Sequence, residues 1–168
     1  LRMPPELGSI GTLFLTDMPE AAVSLGGRYL LGYDGDGIIE VTGRASNVRY
    51  GEGEVRFDYT PGPGAVEIRI QRINVTDPLR NITVVREDHL AAFAEGAVFN
   101  PDWIRRIEGF EGLRFMDWMA TNDSTLDAWE DRPQVADVTW AGGVPVEIMV
   151  QLANEVGADP WFTLPHLA

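Results

Sequence analysis

The stretch Glu54-Val55-Arg56-Phe57-Asp58-Tyr59 alternates strictly between polar and apolar side chains. A period of two is the signature of a strand with one dry face, so Val55, Phe57 and Tyr59 are expected on a core and their neighbours in water. The pattern returns at Val66, Ile68 and Ile70, with Glu67, Arg69 and Gln71 on the other face. Glycine-rich punctuation lies around both runs, at Gly26-Gly27, Asp34-Gly35-Asp36-Gly37, Gly51-Glu52-Gly53 and Pro61-Gly62-Pro63-Gly64. Each of these reads as a hairpin turn. Strands are predicted near 11–16, 28–33, 37–42, 46–50, 54–60, 65–73 and 81–86. Short strands with turn signals about every ten residues make an antiparallel, jelly-roll-like β-sandwich over residues 1–88.

The texture changes after that. Residues 89–109 read as a helical linker, in which Asn100-Pro101-Asp102 starts a short helix over 103–108 with Asn as cap and Pro at the first helical position. A mostly apolar strand is predicted over 113–118, followed by a loop over 119–143 rich in Asn, Asp, Ser and Trp. Pro145 opens an amphipathic helix over 146–156, with Met149, Val150, Ala153 and Val156 assigned to its apolar face and Gly157 closing it. A second buried strand follows over 161–164. Strand, loop, helix, strand is a βαβ unit, whose two strands should lie parallel in one sheet. Parallel sheets are covered on both faces and need several such units. Residues 110–168 therefore read as the incomplete opening of a (β/α)8 TIM barrel, the alternative being a compact α+β domain in which this unit packs on the sandwich. The fold class expected is α+β in several parts: an antiparallel β-sandwich, then the first β/α units of a barrel.

Bulk composition narrows the partners. The chain has 168 residues, 45% of them hydrophobic and 23% charged, as globular domains do. Asp and Glu outnumber Lys and Arg by 26 to 13, a net charge of −13 that would repel nucleic acid and anionic membrane. The same acidity keeps a protein soluble in salt or outside a cell. There is no cysteine, which excludes disulfides, thiolate metal sites and cysteine nucleophiles. No apolar run approaches the roughly 18–20 residues of a membrane span, so no membrane insertion is expected. Residues 1–11 lack the basic and apolar regions of a signal peptide, so either the protein is cytosolic or the extracellular or cell-surface location expected below relies on a leader outside this sequence.

In barrels of this kind, functional groups sit at the C-terminal ends of strands and on the loops beyond them. Those positions hold Asp117, Trp118, Asn122 and Asp123 after the first strand and His166 after the second; the loop adds Trp129, Asp131, Arg132 and Trp140. Indole faces stack on the C–H faces of sugar rings, and planar polar groups take hydroxyls in forked hydrogen bonds. Four of the five tryptophans fall between residues 118 and 161, which favours carbohydrate as the partner. Each residue also has a structural alternative. Trp129 and Trp140 would cover a barrel mouth, Asp117 would cap a turn or pair with Arg132, and His166 would be a satisfied structural group. Glu147 and Glu155 are expected in solvent. Asp123 and Asp131 are a weak candidate pair for glycoside hydrolysis. Asp34-Gly35-Asp36-Gly37 has only part of a calcium loop and reads better as a turn. His89 and His166 stand far apart without a ligand cluster, so no metal site and no cofactor are expected. Asn-x-Ser/Thr sites occur at Asn74, Asn81 and Asn122.

Three segments together resemble a known group: Arg80-Asn81-Ile82-Thr83-Val84-Val85, then Phe115-Met116-Asp117-Trp118-Met119-Ala120-Thr121-Asn122, then Trp161-Phe162-Thr163-Leu164-Pro165-His166. The chain resembles secreted bacterial proteins similar to clan A glycoside hydrolases, in which a β-sandwich precedes a (β/α)8 barrel. The resemblance implies a polysaccharide or oligosaccharide substrate, with Asp117, Trp118, Asn122 and His166 as subsite residues. In clan A the acid/base Glu follows the fourth strand and the nucleophile Glu ends the seventh. This sequence reaches the second strand, so it holds no catalytic residue, and the remainder of the barrel becomes an expected partner. What the resemblance implies is the N-terminal part of an extracellular glycoside hydrolase, inactive by itself; a non-catalytic carbohydrate-binding or structural cell-surface module is the alternative.

Overall fold

Residues 9–137 and 139–167 are described by the computed structural model. The stretch 1–8, with which the expected sandwich segment begins, Val138 of the loop and Ala168 lie outside the described residues. Contacts group the chain into two units, one ending at Gly96 and one beginning at Ala97.

Among its described residues the first unit has seven strands: β1 (Ile10–Phe14), β2 (Gly27–Asp34), β3 (Gly37–Gly43), β4 (Ala45–Gly51), β5 (Glu54–Tyr59), β6 (Val66–Ile73) and β7 (Arg80–Arg86). Every pairing among them is antiparallel, in a three-stranded sheet ordered β1-β6-β3 and a four-stranded sheet ordered β4-β5-β2-β7. One core joins the two sheets: Tyr29, Leu31, Val55, Phe57 and Tyr59 come from one, Ile39, Val41, Val66 and Ile68 from the other. This is a β-sandwich built on the alternation described above, and each such side chain removed from water contributes about 1.5–3 kcal/mol. Its centre is aromatic. Tyr29 and Phe57 stack at 5.6 Å, and Phe14 and Tyr59 meet them edge-on. The buried hydroxyls are satisfied: Tyr29 Oη donates to Leu25 O at 2.7 Å, and Tyr59 Oη to Leu15 O at 3.3 Å. Burial pushes the Tyr59 phenol up from its ordinary range.

The turns differ from their reading as hairpins. Of the four, Gly51-Glu52-Gly53 joins paired neighbours, β4 and β5, whereas the other connections between successive strands carry the chain from one sheet to the other. Asp34-Gly35-Asp36-Gly37 is such an arch. Its carboxylates are occupied by amides, Asn81 Nδ2 donating to Asp34 at 2.7 Å and Asn74 Nδ2 to Asp36 at 3.1 Å, which gives the turn a structural role. The tight arch from β3 to β4 needs Gly43, at φ +71°, because a Cβ there would stand 2.2 Å from Ala65 O. Arg44, next in sequence, then ties down the Pro61–Gly64 arch by donating to the carbonyls of Thr60, Pro61 and Pro63. Local glycine patterns announce a reversal but not whether the strands that follow stay in one sheet. A short helix α1 (Leu90–Ala94) ends the unit.

The second unit opens with α2 (Pro101–Ile107). The Asn100 side chain accepts from Asp102 N at 2.9 Å, as its capping residue type predicts. Rather than only linking, α2 contributes Trp103, Ile104 and Ile107 to a second core around Phe115, Met149, Leu152 and Ala153. Strand β8 (Gly112–Arg114) runs parallel to β9 (Asp159–Trp161), with α3 (Val146–Val156) between them, a βαβ arrangement. The strands are shorter than the apolar runs that suggested them, and β9 meets the expected 161–164 only at Trp161, its three residues exposed where a buried strand was predicted. Asp117 takes φ +67° and turns the chain away directly after Phe115, whose N–H still reaches Trp161 O at 2.9 Å. The buried stripe of α3 is Met149, Leu152 and Ala153, at spacings i, i+3 and i+4; Val150, assigned above to that face, is 40% exposed. Gly157, at φ +74°, ends the helix as expected. Among the described residues no helix is long and apolar enough to cross a membrane.

Candidate functional site

Beyond β8 the chain makes a long excursion before α3, and its neck is tied. Val144 N donates to Trp118 O at 2.6 Å. Gly143 sits at φ +118° with its Cα against Met119, where a Cβ would come within 2.8 Å of the Met119 carbonyl carbon. The loop is thereby held at its base while its tip shapes two neighbouring clefts.

The larger cleft, about 610 Å³, is polar. Asn122, Asp123, Ser124, Thr125, Asp127, Asp131, Asp137 and Thr139 line it, a concentration of carboxylates, hydroxyls and one amide. Asp137 Oδ2 accepts from Gln134 N at 2.8 Å, which fixes one wall. Among the described residues the carboxylates of Asp123, Asp127 and Asp131 make no hydrogen bond or ion pair and stay available to a ligand. The wall carries three non-glycine residues in the left-handed region, Asp117 at φ +67°, Ala120 at +48° and Asp123 at +58°. Ala120 is the costly one, since no side-chain hydrogen bond offsets its Cβ clash. Strain of this kind concentrates at binding sites.

The smaller cleft, about 130 Å³, is apolar and shares Met119, Leu126 and Pro133 with the larger. Trp129, Arg132, Val144, Val146, Leu164 and Pro165 complete it. The Arg132 guanidinium lies 4.1 Å over the Trp129 ring and donates to Glu147 Oε1 at 2.6 Å and to Trp129 O at 3.3 Å, leaving Nε buried without a partner among the described residues. Glu147 is therefore an anchor for the loop and not simply a solvated residue. Its carboxyl is held below the usual range, first by backbone N–H at the start of α3 and then by Arg132.

The seven residues singled out from the sequence fall as follows. Asn122 lines the polar cleft and donates to Asp117 Oδ1 at 3.1 Å, which brings Asp117 to the same wall. Asp117 does not pair with Arg132. Trp140, 39% exposed, lies between Thr139 and Gly142 of that cleft. Trp129, 53% exposed, and Arg132 line the apolar cleft, and exposed His166 follows its Pro165. Trp118 stands apart, stacked on Trp103 at 6.3 Å and edge-on to Phe115 at 5.2 Å in the second core. Asp127 and Asp137 were missed, and no periodicity in the loop distinguishes them; Glu147, on α3, was read only as a solvated residue. Among the described residues no three His, Asp or Glu side chains converge as a metal site would require. Comparison with protein-family models, with curated proteins and with solved structures gives no match to the chain.

Proposed function

We propose that this chain is the carbohydrate-binding front of a polysaccharide-directed, glycoside hydrolase-like protein that works outside the cell or on its surface. The βαβ unit begins a (β/α)8 barrel in this reading, and the catalytic carboxylates belong to residues outside these 168. The observation that supports it most is the polar cleft beyond β8, where unpaired carboxylates, hydroxyls and Asn122 face one space beside an exposed Trp140. Planar acceptors and donors next to an indole are what a neutral sugar ring calls for. Asn122, Asp117, Trp129, Arg132, Trp140 and His166 are the subsite residues, while Trp118 supports them from beneath.

Calorimetry against a panel of neutral polysaccharides and their oligosaccharides tests the reading. Binding should weaken at least tenfold in Asn122→Ala and Trp140→Ala, and silence across the whole panel would overturn it. A non-catalytic binding module makes the same affinity prediction. It differs in that the naturally occurring polypeptide would bind the glycan without releasing reducing ends.

A further inference from the structure

The outer face of the four-stranded sheet carries a cavity of about 350 Å³, lined by Arg28, Asn47, Arg49, Arg56, Phe57 and Asp58. Three cations meet there in a chain of net charge −13. Their states differ. Arg56 is fixed, donating through Nε to Glu54 at 3.0 Å and through Nη1 to Glu87 at 2.7 Å. Arg28 is 63% exposed and only loosely held, 3.6 Å from Asp58 and 3.5 Å from Glu87. Arg49 makes no hydrogen bond or ion pair among the described residues.

The backbone places Arg49 there by an irregularity. Ser46 pairs with Asp58 and Arg49 with Arg56, so β4 spends three steps where β5 spends two. The extra residue is a β-bulge at Asn47-Val48, with Asn47 at φ +50° and its Nδ2 donating to Asp58 Oδ2 at 2.8 Å. A regular ladder would set Val48 opposite Arg56 and turn Arg49 toward the core. The bulge reverses the parity: Val48 packs on the core and Arg49 points outward beside Arg56. Like charges directly opposite in a ladder are destabilising. Here a bulge creates such a pair and leaves Arg49 without a counter-ion among the described residues.

We propose that this groove binds the carboxylate of an acidic saccharide, a uronic-acid unit, the sugar being inferred from the carbohydrate reading above. Arg49 offers its planar fork to both carboxylate oxygens, a geometry that suits guanidinium better than ammonium. Arg28 closes from the other side, and Asn47 Oδ1 accepts from a ring hydroxyl. The bound carboxylate gives Arg49 the counter-ion that Arg56 already has in Glu54 and Glu87.

The test is calorimetry of the whole chain with oligogalacturonate and oligoalginate, with fully methyl-esterified oligogalacturonate as neutral control and sodium sulfate as competitor. At least one acidic oligomer should bind saturably, with at least tenfold loss in Arg49→Ala and a smaller loss in Arg49→Lys. Asn122→Ala should bind it as the parent does. No binding of either acid, ester binding that Arg49→Ala weakens as much as it weakens acid binding, or an unaffected Arg49→Ala variant overturns the proposal. Displacement by equimolar sulfate also overturns it, since the groove would then be a simple anion site. Circular dichroism confirms that each variant is folded. The two readings fail separately: uronate binding that depends on Arg49, with neutral glycans silent, sinks the cleft and keeps the groove, and the reverse pattern does the opposite.

Discussion

The guanidinium of Arg132 lies over the indole of Trp129, 4.1 Å from its centre, so the loop beyond β8 is clasped between an aromatic ring and the first turn of α3. The stack and the exposed ion pair with Glu147 together contribute roughly 1–2 kcal/mol. Arg132→Ala should lower the stability of the second unit by about that amount, and Arg132→Lys should recover only part, because ammonium does not stack as guanidinium does. Denaturant unfolding followed by tryptophan fluorescence reads both. An unchanged midpoint in Arg132→Ala would remove the clasp from the description.

Glu147 carries the pH dependence of that clasp. Its folded carboxyl titrates below its ordinary value, so the linked stability is fully present above that value, near 4.5, and is lost as pH falls through the lower folded one. Asp88, lowered chiefly by its hydrogen bonds to Arg86, acts in the same direction in the first unit. Glu147→Gln should therefore flatten the acid limb of the tryptophan-detected stability profile and leave the neutral plateau slightly lower. A profile of unchanged slope below pH 4.5 would contradict the assignment.

The aromatic residues separate the two units spectroscopically. All five tryptophans lie at or after Trp103, and all four tyrosines at or before Tyr59. Phe57→Ala empties the sandwich core and should cost about 3–5 kcal/mol; Met149→Ala empties the other and should cost about 2–5 kcal/mol. Each variant should shift most the probe of its own unit, tyrosine for Phe57 and tryptophan for Met149. Equal shifts in both probes for both variants would mean that the two cores melt as one.

The Arg49–Arg56 pair predicts a gain in stability. Arg49→Thr removes the like-charge juxtaposition and places a β-branched residue on β4, so the tyrosine-detected melting temperature should rise. The gain should shrink in high salt, where the repulsion is screened. A fall in melting temperature would show that Arg49 has a stabilising partner.

The sandwich strands were legible because burial on one face imposes a period of two, and every predicted strand of the first unit has its counterpart within a residue or two. Which strands pair was not, because an arch and a hairpin use the same glycines. The Asn47-Val48 bulge was hidden as well: in sequence it is one polar and one apolar residue, and only the partner strand reveals the extra step. On α3 the assigned face was off by one position at Val150, since a helix with several adjacent apolar residues does not declare which of them the core takes. The candidate site was legible as a list of residue types in a loop after a strand. Its geometry was not, since the choice of Glu147 over Asp117 as partner for Arg132 is a matter of where the loop returns to α3.

The order of strands has a consequence for how the chain comes off the ribosome. β1 pairs with β6, and β2 lies between β5 and β7, so neither sheet can be completed from strands that follow one another. The first strands made must wait, edges open, until distant ones emerge, and loop closure has to precede any reward from pairing. That interval is when an exposed strand is most prone to pair with another chain. Slow synthesis through residues 60–86 would lengthen the interval, and the charged outer face of β5 and β6, with Arg56, Asp58, Glu67 and Arg69, is the part of the sandwich best suited to keep the waiting strands in solution.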